Sequence, residues 1–300
     1  MFKAFLALLM ASTLHANSMN HADFTYKTIW ENRPILSVEN LPQKKEDLPP
    51  PETTAQSIIA IEVNSGKILY EKNSQEKRPI ASLTKLMTSL IITQEEAPNT
   101  IVKVSKTASD IEGSQIWLST DEKISVKDLL YGLLISSGND AAIALAEFNG
   151  GTIEQFVKKM NQKASQFGLK NTHFSNPMGF DTADNYSTAR DLAILSLLDL
   201  KIPLITEATS HTTYTIKSES GIDHEYISTN KLLGDNLGIA GLKIKGLKTG
   251  STPEAGECLI TNAIYPNGKQ ILTIVLGSAD RFNDTRLLVN WLNNSYHLLE

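Results

Sequence analysis

An α+β domain built on one antiparallel sheet is the fold class this sequence predicts, and three observations predict it. Apolar–polar alternation broken by turn residues occurs near both ends of the chain. Apolar residues recur at helical spacing through the middle, and no internal repeat is present. Strands at the two ends with helices between them imply a sheet that joins the N- and C-terminal segments.

The first hairpin starts at Gln56. Ile58, Ala60 and Glu62 alternate against Ile59, Ile61 and Val63, Asn64-Ser65-Gly66 turns the chain, and Lys67-Ile68-Leu69-Tyr70 returns. A second hairpin runs over 258–265, turns at Pro266-Asn267-Gly268 and returns over 271–276, with Asn-Gly as its turn signal. Between them Leu83, Leu86, Met87, Leu90 and Ile91 form one helical apolar face, and Val126, Leu129, Leu130, Leu133 and Leu134 form another. Residues 141–148, 153–167 and 189–198 also read as helices, the last with Thr188 and Asp191 spaced as a capping box. A final helix over 284–297 turns Leu288, Trp291 and Leu292 inward. Its polar face offers Arg286 alone as a cation, so packing on the sheet is favoured over a membrane-surface anchor.

The N-terminus has a different character. Lys3 precedes an apolar run over 4–14, and small or polar residues follow, which is the order of a secretory signal peptide cut after Ala16. Leu14, three residues before that cut, fits the small-residue rule poorly. The run is shorter than the ~20 apolar residues that cross a bilayer. Residues 17–54 are polar, end in Leu48-Pro49-Pro50-Pro51-Glu52 and read as an extended lead-in; residues 55–300 form the folded domain.

Composition narrows the function classes. A net charge of −5, or −6 once Lys3 is removed, gives no electrostatic case for nucleic acid or an anionic membrane. Cys258 is the one cysteine, so an internal disulfide is impossible, and its apolar surroundings suit a buried inert thiol better than a nucleophile. His173, His211 and His224 have no ligand spacing and no His-Glu-x-x-His occurs, so neither metal nor cofactor is expected.

Chemistry concentrates in three short motifs. Ser82-Leu83-Thr84-Lys85 places a hydroxyl and an amine at i and i+3, on one helix face, where a neutral lysine can take the serine proton. Alone this means little, because roughly one Ser-x-x-Lys is expected by chance in a chain of this size. Ser74-Gln75-Glu76-Lys77 is such a match and lacks an apolar helical face, whereas Ser82 opens the helix of Leu83, Leu86 and Met87. Ser137-Gly138-Asn139 lies between two helices, where a loop can present a hydroxyl and an amide. Lys248-Thr249-Gly250 follows an edge-strand pattern, where a cation and a hydroxyl can hold a carboxylate and glycine permits close backbone approach.

The three motifs in this order are a combination tied to penicillin-binding proteins and class A β-lactamases. The chain resembles the serine D-alanyl-D-alanine carboxypeptidases, the low-molecular-weight penicillin-binding proteins, over roughly residues 55–298. The resemblance is carried by 78–88, 128–134, Ser137-Gly138-Asn139-Asp140-Ala141-Ala142, Asn176-Pro177-Met178-Gly179, Ser187-Thr188-Ala189-Arg190-Asp191 and Gly246-Leu247-Lys248-Thr249-Gly250. It implies a penicillin-binding protein/β-lactamase-like transpeptidase fold, with helices flanking the sheet and a mostly helical subdomain. It implies an exported enzyme, periplasmic or on the outer side of the cytoplasmic membrane, that removes the terminal D-alanine of peptidoglycan stem peptides and is inhibited by β-lactams.

In that scheme Ser82 attacks, Lys85 is the base, and Ser137 and Asn139 relay a proton and orient the peptide. Lys248 and Thr249 bind the terminal carboxylate, Gly250 and Ser251 complete the substrate-binding segment, and the N–H groups of Ser82 and Ser251 form the oxyanion hole. Ser251 departs from the aromatic or histidine usual at its position. The basic membrane helix of longer members is not matched, so no strong membrane anchor is expected. A class A β-lactamase is disfavoured, since Glu147, Glu154, Glu207, Glu219 and Glu225 all lack an Asn four residues on. A D,D-endopeptidase of cross-links and a catalytically weak penicillin-binding scaffold are the alternatives.

Overall fold

The computed structural model describes residues 41–299. The expected signal peptide and residues 17–40 of the expected lead-in lie outside the described residues. Five strands form the main sheet: β1 (Ser57–Glu62), β2 (Ile68–Lys72), β3 (Lys243–Thr252), β4 (Gly256–Ile264) and β5 (Gln270–Ser278), in the order β2-β1-β5-β4-β3. All four pairings are antiparallel, and Ile58 to Glu62 of β1 run opposite Val275 to Ile271 of β5. The two expected hairpins are thus β1–β2 and β4–β5, joined edge to edge through β1 and β5.

Both faces of the sheet are covered, which is why β1 is buried at every position. Ile59, Ile61, Ile260 and Ile274 face a helical layer, and Ile58, Ala60, Leu259 and Val275 face the opposite way. Each such isoleucine or leucine contributes about 1.5–3 kcal/mol through removal from water. The helical layer comprises α1 (Lys85–Glu95), α2 (Val126–Ile135), α3 (Asn139–Gly150), α4 (Ile153–Gln166) and α5 (Ala189–Asp199). Ser125, Thr152 and Thr188 cap α2, α4 and α5 by accepting N–H bonds from the third residue on. The other face is covered by α6 (Arg281–Ser295), capped by Asp280, with Leu288 and Leu292 inward and Trp291 half-buried edge-on to Tyr70.

The sequence reading did not include the hairpin Thr213–Lys217/Asp223–Ile227, the two-stranded pair Ile101–Lys103/Lys123–Ser125, or the short helices Lys106–Ser109 and Pro203–Ala208. Residues 41–54 carry no helix or strand. They reach both ends of α6: Lys45 N–H donates to Ser295 O at 2.7 Å, and the Thr54 hydroxyl donates to Asp284 at 2.7 Å.

Candidate active site

The expected nucleophile does not lie in an α-helix. Ala81–Thr84 is a 3₁₀ turn and α-helical bonding begins at Lys85, so Ser82 precedes α1 instead of opening it. The cause is backbone crowding. Ala81 is held at φ +47, a conformation unusual for a residue with a side chain, and the Thr84 hydroxyl donates to its carbonyl at 2.9 Å. Gly179 (φ +94) and Gly250 press on the same peptide. A Cβ on Gly179 would lie 2.0 Å from Ala81 O, and one on Gly250 would lie 3.0 Å from Ser82 N. The Ser82 amide therefore sits between the Gly179 loop and edge strand β3, where only glycine permits the approach.

Lys85 is fully buried, and Ser82 beside it is half-buried. The Lys85 amine lies 2.9 Å from Ser82 Oγ, 2.8 Å from Asn139 Oδ1 and 2.8 Å from the Met178 carbonyl. Burial, and then the neighbouring Lys248 cation, hold its pKa well below the usual lysine range, and Asp140 pulls weakly the other way. A neutral amine has two N–H groups and one lone pair. The Asn139 and Met178 oxygens can only accept, so they take the two N–H groups. The lone pair is left for Ser82, the one partner that can donate.

Asn139 is itself held on three sides. Its Nδ2 donates to Glu112 O at 2.8 Å, its backbone N–H donates to Ser114 O at 2.7 Å, and its Oδ1 accepts from Lys85. Ser137 is nearly buried and sits at φ +62 in the loop between α2 and α3. Strain of this kind next to Asn139 matches the positive φ of Ala81 next to Ser82, and such outliers cluster at functional sites.

Lys248 and Thr249 follow a bulge in β3. Ile260 of β4 pairs with Lys248 and Thr261 with Gly246, so Leu247 is the extra residue. Lys248 is buried, its amine donates to Thr249 O at 2.9 Å, and its pKa is lowered to about 7 by burial and then by the Arg281 guanidinium. Arg281, the first residue of α6, reaches through to donate to Gly250 O at 2.7 Å. The Thr249 and Thr229 hydroxyls are hydrogen-bonded to each other. Ser251 is exposed at the end of the same strand.

Ser82, Lys85 and Asn139 are thus in direct contact, Gly250 abuts Ser82, and Lys248 is near enough to Lys85 to depress its pKa. Sequence reasoning missed Met178 O, Glu112 O, Thr229 and Arg281. The first two act through backbone carbonyls, which residue type does not reveal. Cys258 is buried, its thiol pushed up to about 11 by burial, in keeping with an inert role. Ser74, of the chance tetrad, hydrogen-bonds Glu71 at 2.6 Å, and Lys77 lies over the Tyr186 ring.

Known proteins share this arrangement of sequence and fold. The family described as D-alanyl-D-alanine carboxypeptidase matches residues 43–280. The D-alanyl-D-alanine carboxypeptidase DacF of Bacillus subtilis is 41% identical over 232 residues, covering 75% of this chain and 58% of that protein. The D-alanyl-D-alanine endopeptidase of Escherichia coli is 32% identical over 258 residues, 81% of this chain and 78% of that one. The Streptomyces K15 DD-transpeptidase structure superposes with a TM-score of 0.76 at 31% identity, over 82% of this chain and 100% of that one. The antiparallel sheet with its helical layer is thus the penicillin-binding protein/β-lactamase-like α+β fold. This chain spans less than two thirds of the length of the Bacillus relative. With the family matching about four fifths of the sequence, this chain belongs to the D-alanyl-D-alanine carboxypeptidase family.

Proposed function

We propose that the chain is a serine D-alanyl-D-alanine carboxypeptidase whose catalytic domain spans residues 55–300, acting on peptidoglycan stem peptides after export directed by residues 1–16. The observation that carries this reading is the buried Lys85 amine. Its two N–H groups are committed to acceptors, its lone pair is left for Ser82 Oγ at 2.9 Å, and its pKa is depressed by burial.

Ser82 Oγ attacks the carbonyl between the two terminal D-alanines as Lys85 takes its proton. The oxyanion develops at the N–H groups of Ser82 and Ser251. Protonated Lys248 and the Thr249 hydroxyl hold the terminal carboxylate, and Gly250 lets the peptide lie close along the free edge of β3. The proton taken by Lys85 passes through the Ser137 hydroxyl to the departing D-alanine nitrogen, and Asn139 orients the acyl chain. Water then releases the shortened peptide from Ser82. β-Lactams present a strained amide and a carboxylate to the same groups and acylate Ser82. Ser251 in place of a bulkier residue leaves the strand end open.

A monomeric pentapeptide and a cross-linked dimer, offered side by side to the purified protein, test this. Release of D-alanine from the monomer, abolished in Ser82→Ala, is the expected outcome. Cleavage of the dimer alone would assign the endopeptidase reading, and penicillin labelling without turnover of either would assign the scaffold.

A further inference from the structure

The loop that steadies Asn139 is itself held from below. The buried Asp140 carboxylate accepts the backbone N–H of Ile116 at 3.0 and 3.1 Å and that of Leu118 at 3.2 Å. The buried His224 ring bridges the Ile116 carbonyl at 3.0 Å and the Glu122 carboxylate at 2.7 Å. Ile116 rests on the motif loop, with a Gly138 Cβ position only 3.1 Å from its Cγ2. Glu112 and Ser114, a few residues earlier, bind Asn139 directly.

Within this clamped segment Ile116 and Leu118 are buried, and Trp117 between them is 79% exposed, the most exposed large apolar side chain among the described residues. Trp117 also sits at φ +63. A left-handed conformation is ordinary for glycine and unfavourable for a bulky aromatic. The indole therefore gains little from burial, and its backbone is held in a conformation it does not favour. Neither fact is explained by packing, and the strain sits one residue from the side chain that supports Gly138.

We propose that Trp117 is a substrate-contacting residue: from a clamped backbone segment that also binds Asn139, its exposed indole offers a stacking face to a ring or other flat apolar group on the acyl donor. The inference rests on the reading of Ser82 as nucleophile. Because Asp140 and the His224–Glu122 pair fix the loop before any ligand arrives, little ordering opposes the contact. An aromatic side chain supplies a large contact area with few rotatable bonds.

The test compares acylation of the full chain by benzylpenicillin, which carries a phenyl ring on its side chain, and by 6-aminopenicillanic acid, which has the same bicyclic nucleus without that side chain. In Trp117→Ala, acylation by benzylpenicillin should fall about 5-fold, the size of an aromatic contact, while acylation by 6-aminopenicillanic acid is unchanged. Trp117→Phe should keep most of the preference. Trp117→Gly should lose it while its melting temperature holds or rises, since glycine accepts φ +63. Equal loss with both compounds, or no loss with either, overturns the proposal. A wild-type chain that neither compound acylates refutes the Ser82 reading itself, and with it this inference.

Discussion

Replacing Asn139 by aspartate changes almost no volume and reverses the electrostatics around the base. The present Oδ1 is a neutral acceptor 2.8 Å from Lys85 Nζ. A carboxylate there would attract the ammonium form by about 6 kcal/mol, taking an effective dielectric near 20. That corresponds to about four pKa units upward, and so to a loss of about 10⁴ in the neutral fraction at fixed pH. Aspartate also cannot donate to Glu112 O, which now receives Nδ2 at 2.8 Å. Acylation of Asn139→Asp by benzylpenicillin at pH 7 should therefore be slower by about 10³-fold or more. The rising limb of its rate against pH should lie at higher pH than the parent's. Stopped-flow quenching or timed labelling with a fluorescent penicillin, repeated between pH 6 and 10, measures both. A variant within about tenfold of the parent, with an unshifted pH profile, would refute the assignment of Lys85 as a neutral base.

Three further outcomes follow from the same geometry. The kcat/KM profile should rise with pH as Lys85 loses its proton well below pH 10.5, and fall as Lys248 loses its own at about 7; Lys248→Arg should move the falling limb upward, and an unmoved limb would clear Lys248 of that role. Gly179→Ala should destabilise the fold by about 3 kcal/mol or more in urea titrations, because its Cβ would meet Ala81 O at 2.0 Å on a backbone at φ +94; a change under ~1 kcal/mol would contradict the packing described. Lys248→Met should be more stable than the parent. Folding lowers the Lys248 pKa from 10.5 to about 7, a penalty of about 4 kcal/mol at pH 7 that is full below the folded value and fades as pH rises toward 10.5. Urea midpoints at pH 6 and pH 10 should show the gain shrinking, and a pH-independent gain would count against it.

The sheet was legible because its two hairpins announce themselves by alternation and by Gly turns, and β1 by apolar residues on both faces. The hairpin over 213–227 was not, because its buried positions are His224 and Tyr226 instead of aliphatic residues, and the alternation rule weighs those weakly. At the site, the motif order singled out Ser82 over Ser74; Ser82 contacts the Lys85 amine, whereas Ser74 contacts Glu71. The sequence could not show that Ser82 lies in a 3₁₀ turn, since the causes are Gly179 and Gly250, far along the chain. Likewise Glu122 and His224 are 102 residues apart, and no local pattern joins them.

Two buried amines, Lys248 close enough to Lys85 to disfavour its charge, have a consequence for how ligand and acidity act on each other. Burial and the Arg281 guanidinium bring the Lys248 pKa down to about 7, and a bound carboxylate would favour its charged form. Carboxylate binding is then proton-coupled, with protons taken from buffer in growing number as the medium turns alkaline. By reciprocity, whatever ligand the pocket accepts makes it a weaker acid, and acidification tightens its hold on that ligand. Calorimetry in buffers of different ionisation heat would count those protons directly.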